Sequence, residues 1–254
     1  MQGMAEHQAA SAKTKPLYTA AQKRLRDGSV WTLVQGVLAP VQFLVFLVSL
    51  GLGLNKLQQL VFTVVLVKLV ILGRDGILND FRDDHVKAPE EWFAIPGALE
   101  AVARLNHAGW HAVVATNQSG IGRGMIDMAS VNAVHAHMHK SLQAVGGRID
   151  AVFFCPHTPE DGCDCRKPLP GLMRDIGKRY GIDLKQVHMV GDTLRDLQAA
   201  AAAGCEPHLV LSGRAAGLAP DEVLRLAAQV PGTRVHDDLP AFAEHLLSRT
   251  TASP

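Results

Sequence analysis

The stretch "LVILGRDGILND", Leu69 to Asp80, decides how the rest of the chain is read. Lys68 to Leu72 is short, apolar and rich in branched side chains, which is the composition of a strand buried on both faces. It runs without a spacer into Gly73-Arg74-Asp75-Gly76, a polar, glycine-flanked loop. A buried strand that ends in such a loop is one half of a βα unit. The sequence beyond it repeats the pattern. "HAVVATNQSG" reads as a strand ending in a polar loop, "ASVNAVHAHMHKSLQAV" as a helix, "IDAVFFC" as a strand and "GLMRDIGKRYGI" as a helix. "VHMVGDTLRDLQAAAAAGC" gives a strand, a loop and an alanine-rich helix closed by Gly204. "PHLVLSG" and "PDEVLRLAAQV" supply a further strand and helix. Strands separated by helical stretches predict an α/β fold, a parallel sheet covered by helices on both faces.

In such sheets ligands bind at the carboxyl ends of the strands. Four predicted strand ends carry polar groups there: "GRDG" after Leu72, "TNQSG" after Ala115, "CDCRKP" beyond Phe154 and "GDTLRD" after Val190. The third also holds Cys155, His157, Cys163 and Cys165 within eleven residues. Three thiolates and an imidazole are the ligand set of a closed tetrahedral zinc site. The loop that carries them is short and hydrophilic, so a metal is expected to order it. Clustered cysteines of this kind point to a reducing compartment rather than to a disulfide framework. Cys205 reads as a small core residue, and Trp92 and Trp110 as packing residues. His135, His137 and His139 read as a solvated or partly buried helix surface, since His137 leaves the face shared by the other two. With 25 Lys and Arg against 24 Asp and Glu, the charge balance predicts no nucleic-acid partner.

These residues resemble the haloacid dehalogenase superfamily of phosphotransferases, and within it the D-glycero-D-manno-heptose 1,7-bisphosphate 7-phosphatases, to which the histidinol phosphatases are related. The resemblance spans about residues 68 to 247 and is most specific in "TNQSGIGRG" (Thr116 to Gly124) and "CPHTPEDGCDCRKPLPG" (Cys155 to Gly171). It implies a capless Rossmann-like three-layer sandwich with a zinc-binding loop. The implied reaction passes through an aspartyl-phosphate with Mg2+ neutralising the transferring group, on a small-molecule sugar phosphate. By the same resemblance Asp75 is the general acid and base, with its backbone carbonyl on magnesium. Thr116 and Asn117 hold phosphoryl oxygens, Lys167 offsets charge there, Arg123 and Arg166 contact substrate, and Asp192 is the acidic magnesium ligand. Asp196, one helical turn on, either supports that site or serves the helix dipole. Gly73 stands where the family has the nucleophilic aspartate, which is also a magnesium ligand, and glycine does neither job. The resemblance implies a monomer or weak oligomer active in the cytoplasm in lipopolysaccharide-core precursor synthesis. Impaired hydrolysis is therefore one expectation, a silent sugar-phosphate binder a second, and an active enzyme in which Gly73 is a substitution or reading error for Asp a third.

The beginning of the chain has a different character. Residues 1–28 are polar, with a basic run from Lys13 to Arg26, and read as a tail. Val30 to Leu54 carries no charged residue, so the segment 29–66 reads as an apolar helical membrane candidate and linker, tethering the rest to the inner membrane. The phosphatase-like domain then occupies 67–250 and a short tail 251–254. Leu17 to Leu54 resembles the start of 2-vinyl bacteriochlorophyllide hydratase, whose activity would require membrane helices that are not present. The basic run favours a cytoplasmic N-terminus, and one crossing would put the phosphatase-like domain outside. A non-spanning segment, a hairpin over Val30 to Val67 and a reversed orientation all remain consistent with the sequence.

Overall fold

The computed structural model describes residues 67–251. The tail 1–28, the apolar run Val30–Leu54 with its linker, and residues 252–254 lie outside the described residues. Among those described, no helix is long and apolar enough to cross a membrane.

Strand β1 is Lys68–Leu72, at the predicted bounds, and its last four residues are fully buried. It is followed by β2 (Trp110–Asn117), β3 (Ala151–Cys155), β4 (His188–Gly191), β5 (Glu206–Val210) and β6 (Arg234–His236). All pair in parallel in the order β3-β2-β1-β4-β5-β6. The connecting helices are α1 (Ala98–His107), α2 (Ser119–Gly122), α3 (Met128–Ala144), α4 (Gly171–Tyr180), α5 (Leu194–Ala203), α6 (Pro220–Ala228) and α7 (Leu239–Thr251). Sequence reading missed α1, β6 and α7, and took α2 for loop.

Strand periodicity divides the core. Val70 and Leu72 face one layer with Leu99, Val102 and Leu105 of α1 and Phe242 of α7, while Leu69 and Ile71 face Leu172, Met173 and Ile176 of α4. The sheet is thus the middle layer of three, as expected. Trp92 and Trp110 pack in the first layer and Cys205 in the second, all buried. Helix ends follow local chemistry. Asp127 accepts from the Ser130 N–H at the start of α3, and Gly204, left-handed at φ 89°, closes α5.

Chain order reverses at β1, which has β2 on one side and β4 on the other. That reversal opens a crevice at the carboxyl ends of these strands. The Gly73 N–H donates to the Val190 carbonyl at 2.9 Å and pins the two strand ends together at its floor.

The layer between α1 and the sheet supports this frame. Leu105→Ala removes a fully buried side chain and should cost about 2–5 kcal/mol, whereas Leu224→Ala, 69% exposed, should change stability by about 0.5 kcal/mol or less. Urea unfolding of the two variants checks the contrast.

Candidate active site

Beyond β1 the chain turns tightly. The Arg74 carbonyl accepts N–H bonds from Ile77, Leu78 and Asn79 at 3.3, 2.8 and 3.3 Å. The turn requires glycine at 76, where φ is +81° and a Cβ would lie 2.2 Å from Asp192 Oδ2. Gly213, at φ +55°, packs against Gly76 and borders the same oxygen, where its Cβ would lie at 2.3 Å. Both glycines thus make room for Asp192, whose Oδ2 accepts the Arg214 N–H at 2.8 Å. Burial, with the nearby Asp196 charge, pushes its carboxyl up to about 7.

Asp75 is held by its neighbours. Arg74 Nη2 donates to both carboxylate oxygens at 2.9 and 3.0 Å, Asn79 Nδ2 donates at 3.0 Å and Gln118 Nε2 at 3.1 Å. Burial raises this carboxyl, but the Arg74 charge and the hydrogen bonds outweigh it and keep the group below the usual range. Asp75 is therefore an anion, in the form that accepts a proton. Arg74 is itself 1% exposed and its Nη1 lies 3.2 Å from His135 Nε2. Guanidinium only donates, so that nitrogen of His135 accepts and the ring is neutral. Burial and the Arg74 charge push its pKa down to about 4. His135 is thus no solvated surface residue. It positions the arginine that positions Asp75, while His137 sets its ring edge against Trp92.

Lys167 reaches the cleft from beyond β3. Its Nζ donates to the Ala115 carbonyl at 2.8 Å and pairs with Asp196 Oδ1 at 2.5 Å. Asp196 also caps α5, exchanging hydrogen bonds with Thr193, so it fills both roles left open by the sequence. The Asn117 side chain forms a reciprocal pair with the Lys167 backbone, accepting its N–H and donating to its carbonyl, each at 3.1 Å. The Asn117 side chain thus anchors the lysine. Thr116 Oγ1 accepts from Gln118 Nε2 at 3.0 Å.

A cleft of about 80 Å³ brings together Gly73, Asp75, Thr116, Asn117, Lys167 and Asp192, every position predicted for phosphoryl chemistry. Arg123 and Arg166 line an adjoining cavity of about 210 Å³, together with Arg82, Arg195 and Arg214. Sequence reading missed these last three. Arg214 lies over the Phe81 ring, 4.1 Å from its centre. Gly73 brings no carboxylate to the cleft. A Cβ there would meet Ile77 Cγ1 at 2.8 Å, so a side chain requires Ile77 to shift. The donor set suits magnesium in part. Asp192 offers a buried carboxylate and Asp75 a backbone carbonyl, and a second carboxylate is missing.

The cysteine loop closes on itself. Cys155 Sγ lies 3.6 Å from Cys163 Sγ and from His157 Nδ1, Cys165 Sγ lies 3.4 Å from Cys163 Sγ, and His157 Nδ1 is 3.3 Å from Cys165 Sγ. Ligands at about 2.0–2.3 Å from one tetrahedral ion stand roughly 3.3–3.8 Å apart, so the four atoms fit zinc. Arg166 Nη1 donates to the His157 carbonyl at 3.1 Å and joins the loop to the cavity wall.

A D-glycero-β-D-manno-heptose-1,7-bisphosphate 7-phosphatase of Bordetella bronchiseptica is 54% identical over 181 residues, covering 71% of this chain and 98% of that protein. The chain belongs to this family. The Pseudomonas aeruginosa member is 47% identical over 180 residues, covering 70% of this chain and 97% of its own length. The crystal structure of the D,D-heptose 1,7-bisphosphate phosphatase from B. bronchiseptica, complexed with magnesium and phosphate, matches with a TM-score of 0.67 over 72% of this chain and 99% of that one. The corresponding structure from Burkholderia thailandensis, 51% identical, matches at 0.55 over 71% and 99%. A HAD-hydrolase-like family model matches residues 164–242. A 2-vinyl bacteriochlorophyllide hydratase model matches residues 18–78, so Gly73 falls inside the segment similar to that second family.

Two measurements follow from this geometry. The folded pKa of His135 lies below its unfolded value of 6.5, so the unfolded chain binds the proton first on acidification. The stability that His135 contributes is complete above about pH 6.5 and is lost as pH falls toward 4. The urea midpoint should drop between pH 7 and 5, and less steeply in His135→Gln; equal slopes would remove His135 from the cause. Stripping the cysteine loop with a strong chelator should lower Tm and weaken inorganic phosphate binding about tenfold or more, because Lys167 loses its frame. Calorimetry with phosphate before and after chelation reads this directly.

Proposed function

We propose that the chain binds D-glycero-β-D-manno-heptose 1,7-bisphosphate with its 7-phosphate in the cleft, and that it hydrolyses this ester only slowly because Gly73 occupies the nucleophile position. The convergence of Asp75, Thr116, Lys167 and Asp192 on one small cleft at the β1/β4 crevice carries this reading. The five arginines of the adjoining cavity suit the remaining phosphate of a bisphosphate.

The roles of the chain's own groups follow from their contacts. Lys167 presents a buried cation to the phosphoryl oxygens while Ala115 and Asp196 fix its position. Thr116 supplies a hydroxyl at the end of β2. Asp192 and the Asp75 carbonyl are the groups that would hold Mg2+, which when bound offsets charge on the transferring group. Asp75, kept ionised by Arg74, takes the proton from an attacking water. Without a carboxylate at 73 no aspartyl-phosphate forms, and that in-line water is the remaining nucleophile. Loss of a covalent nucleophile costs several orders of magnitude in turnover.

The glycine itself favours a second reading, a sugar-phosphate-binding protein with no turnover. In both, the phosphatase-like domain comprises residues 67–250, zinc sits on Cys155, His157, Cys163 and Cys165, and the chain is a monomer. A thiolate zinc site of this kind suits a reducing compartment, which supports a cytoplasmic domain. Tethering through Val30–Leu54 concerns residues outside those described.

Phosphate release from the bisphosphate in Mg2+, with binding followed by calorimetry, tests the proposal. Gly73→Asp should turn over at least a thousandfold faster than the chain as it stands, while both bind substrate. Equal rates would mean that another group attacks, and failure of both to bind would remove the sugar bisphosphate as ligand.

A further inference from the structure

Far from the cleft, at the amino ends of the sheet, a second group of metal-ligating side chains comes together. His188 begins β4, Glu206 begins β5, and the two are register partners. In a parallel pair such partners project from the same face, and His208, two residues along β5, joins them. His188 Nδ1 lies 3.3 Å from Glu206 Oε2 and 3.0 Å from His208 Nε2. All three donor atoms lie within 4.8 Å of one another.

Hydrogen bonding alone does not satisfy this arrangement. His188 Nδ1 carries at most one proton yet faces two acceptors, the Glu206 carboxylate and the His208 ring nitrogen. A proton on that nitrogen directed at one acceptor leaves the other without a donor from this ring. If His208 is the donor, its proton fills the His188 lone pair and Glu206 Oε2 faces an acceptor. One cation among the three atoms satisfies all of them.

The surroundings hold the three groups in place. His208 Nδ1 lies 3.0 Å from His236 Nε2 on β6, so its second nitrogen is oriented as that of a ligating histidine usually is. The other oxygen of Glu206 is fixed by Arg234 Nε at 3.1 Å and Arg249 Nη1 at 3.5 Å. The edge of the Phe242 ring, 4.9 Å between centroids, walls off the apolar side of His208. His188 and Glu206 are 12% and 27% exposed, which leaves an entry from solvent. Burial keeps the rings of His188 and His208 neutral, the form that donates a lone pair.

We propose that His188, Glu206 and His208 form a second metal site, for a zinc-class divalent transition ion with an open fourth position, which staples β4 to β5 at the end of the sheet opposite the cleft. Two imidazoles and one carboxylate within 4.8 Å of one another can close on one ion at about 2.0–2.2 Å once the His188 and His208 rings, now 3.0 Å apart, open slightly. Nitrogen donors select such an ion over magnesium. The Arg234 and Arg249 charges weaken the site relative to one without them.

The test uses the full chain in saturating Mg2+, with one equivalent of Zn2+ already held by the cysteine loop, titrated with further Zn2+ by calorimetry. One further equivalent is expected, with zinc-edge X-ray absorption showing only nitrogen and oxygen around it. Zn2+ should then raise Tm. Glu206→Gln and His188→Gln, both at partly exposed positions, should bind that equivalent at least a hundredfold more weakly and lose the Tm rise. The proposal fails if the wild-type chain takes up no further equivalent, if the two glutamine variants take it up unchanged, or if sulfur surrounds the second ion.

Discussion

The Lys167 ammonium is buried and therefore has to be paired. Ala115 at the end of β2 and Asp196 at the start of α5 supply its partners, and Asn117 clamps the backbone that carries it. One side chain thus gathers three separate connections of the fold. The sheet fixes Ala115 and Asn117, the helix cap fixes Asp196, and the cysteine loop delivers the lysine. A buried charge satisfied at this many points is costly to displace, because moving it strands its partners. The cysteine loop is tied to the cleft for this reason, through the lysine that follows it.

A second arrangement centres on what is missing. Arg74, Asn79 and Gln118 all converge on Asp75, and two glycines make room for Asp192, yet the first residue after β1 has no side chain. The loop keeps its course without that carboxylate because its shape comes from backbone bonds to Arg74 and Val190, not from residue 73. Fold and chemistry are separable here. A side chain is absent at residue 73 while the scaffold stands.

Much of this was legible in the sequence. Lys68–Leu72 declared itself because a strand buried on both faces reads as a continuous apolar run. The cysteine loop was readable because thiolate spacing reports metal chemistry locally. Other features depend on partners distant in the chain. β6 is three residues long, and its Arg234-Val235-His236 has no apolar run to announce it. α1 and α7 lie in segments where no motif drew attention. Arg82, Arg195 and Arg214 converge on one cavity from three loops, and no local spacing encodes that meeting. His135 looked like surface because the guanidinium that buries it lies 61 residues away.

The bare end of β1 also changes how long a ligand stays. An aspartate there would place a negative charge against the bound phosphoryl group, and that repulsion would help product leave. On the proposed reading the anion meets Lys167 and the arginines without that repulsion, so its dissociation slows along with its hydrolysis. A phosphatase slowed in this way would become a slow-release store for its own substrate.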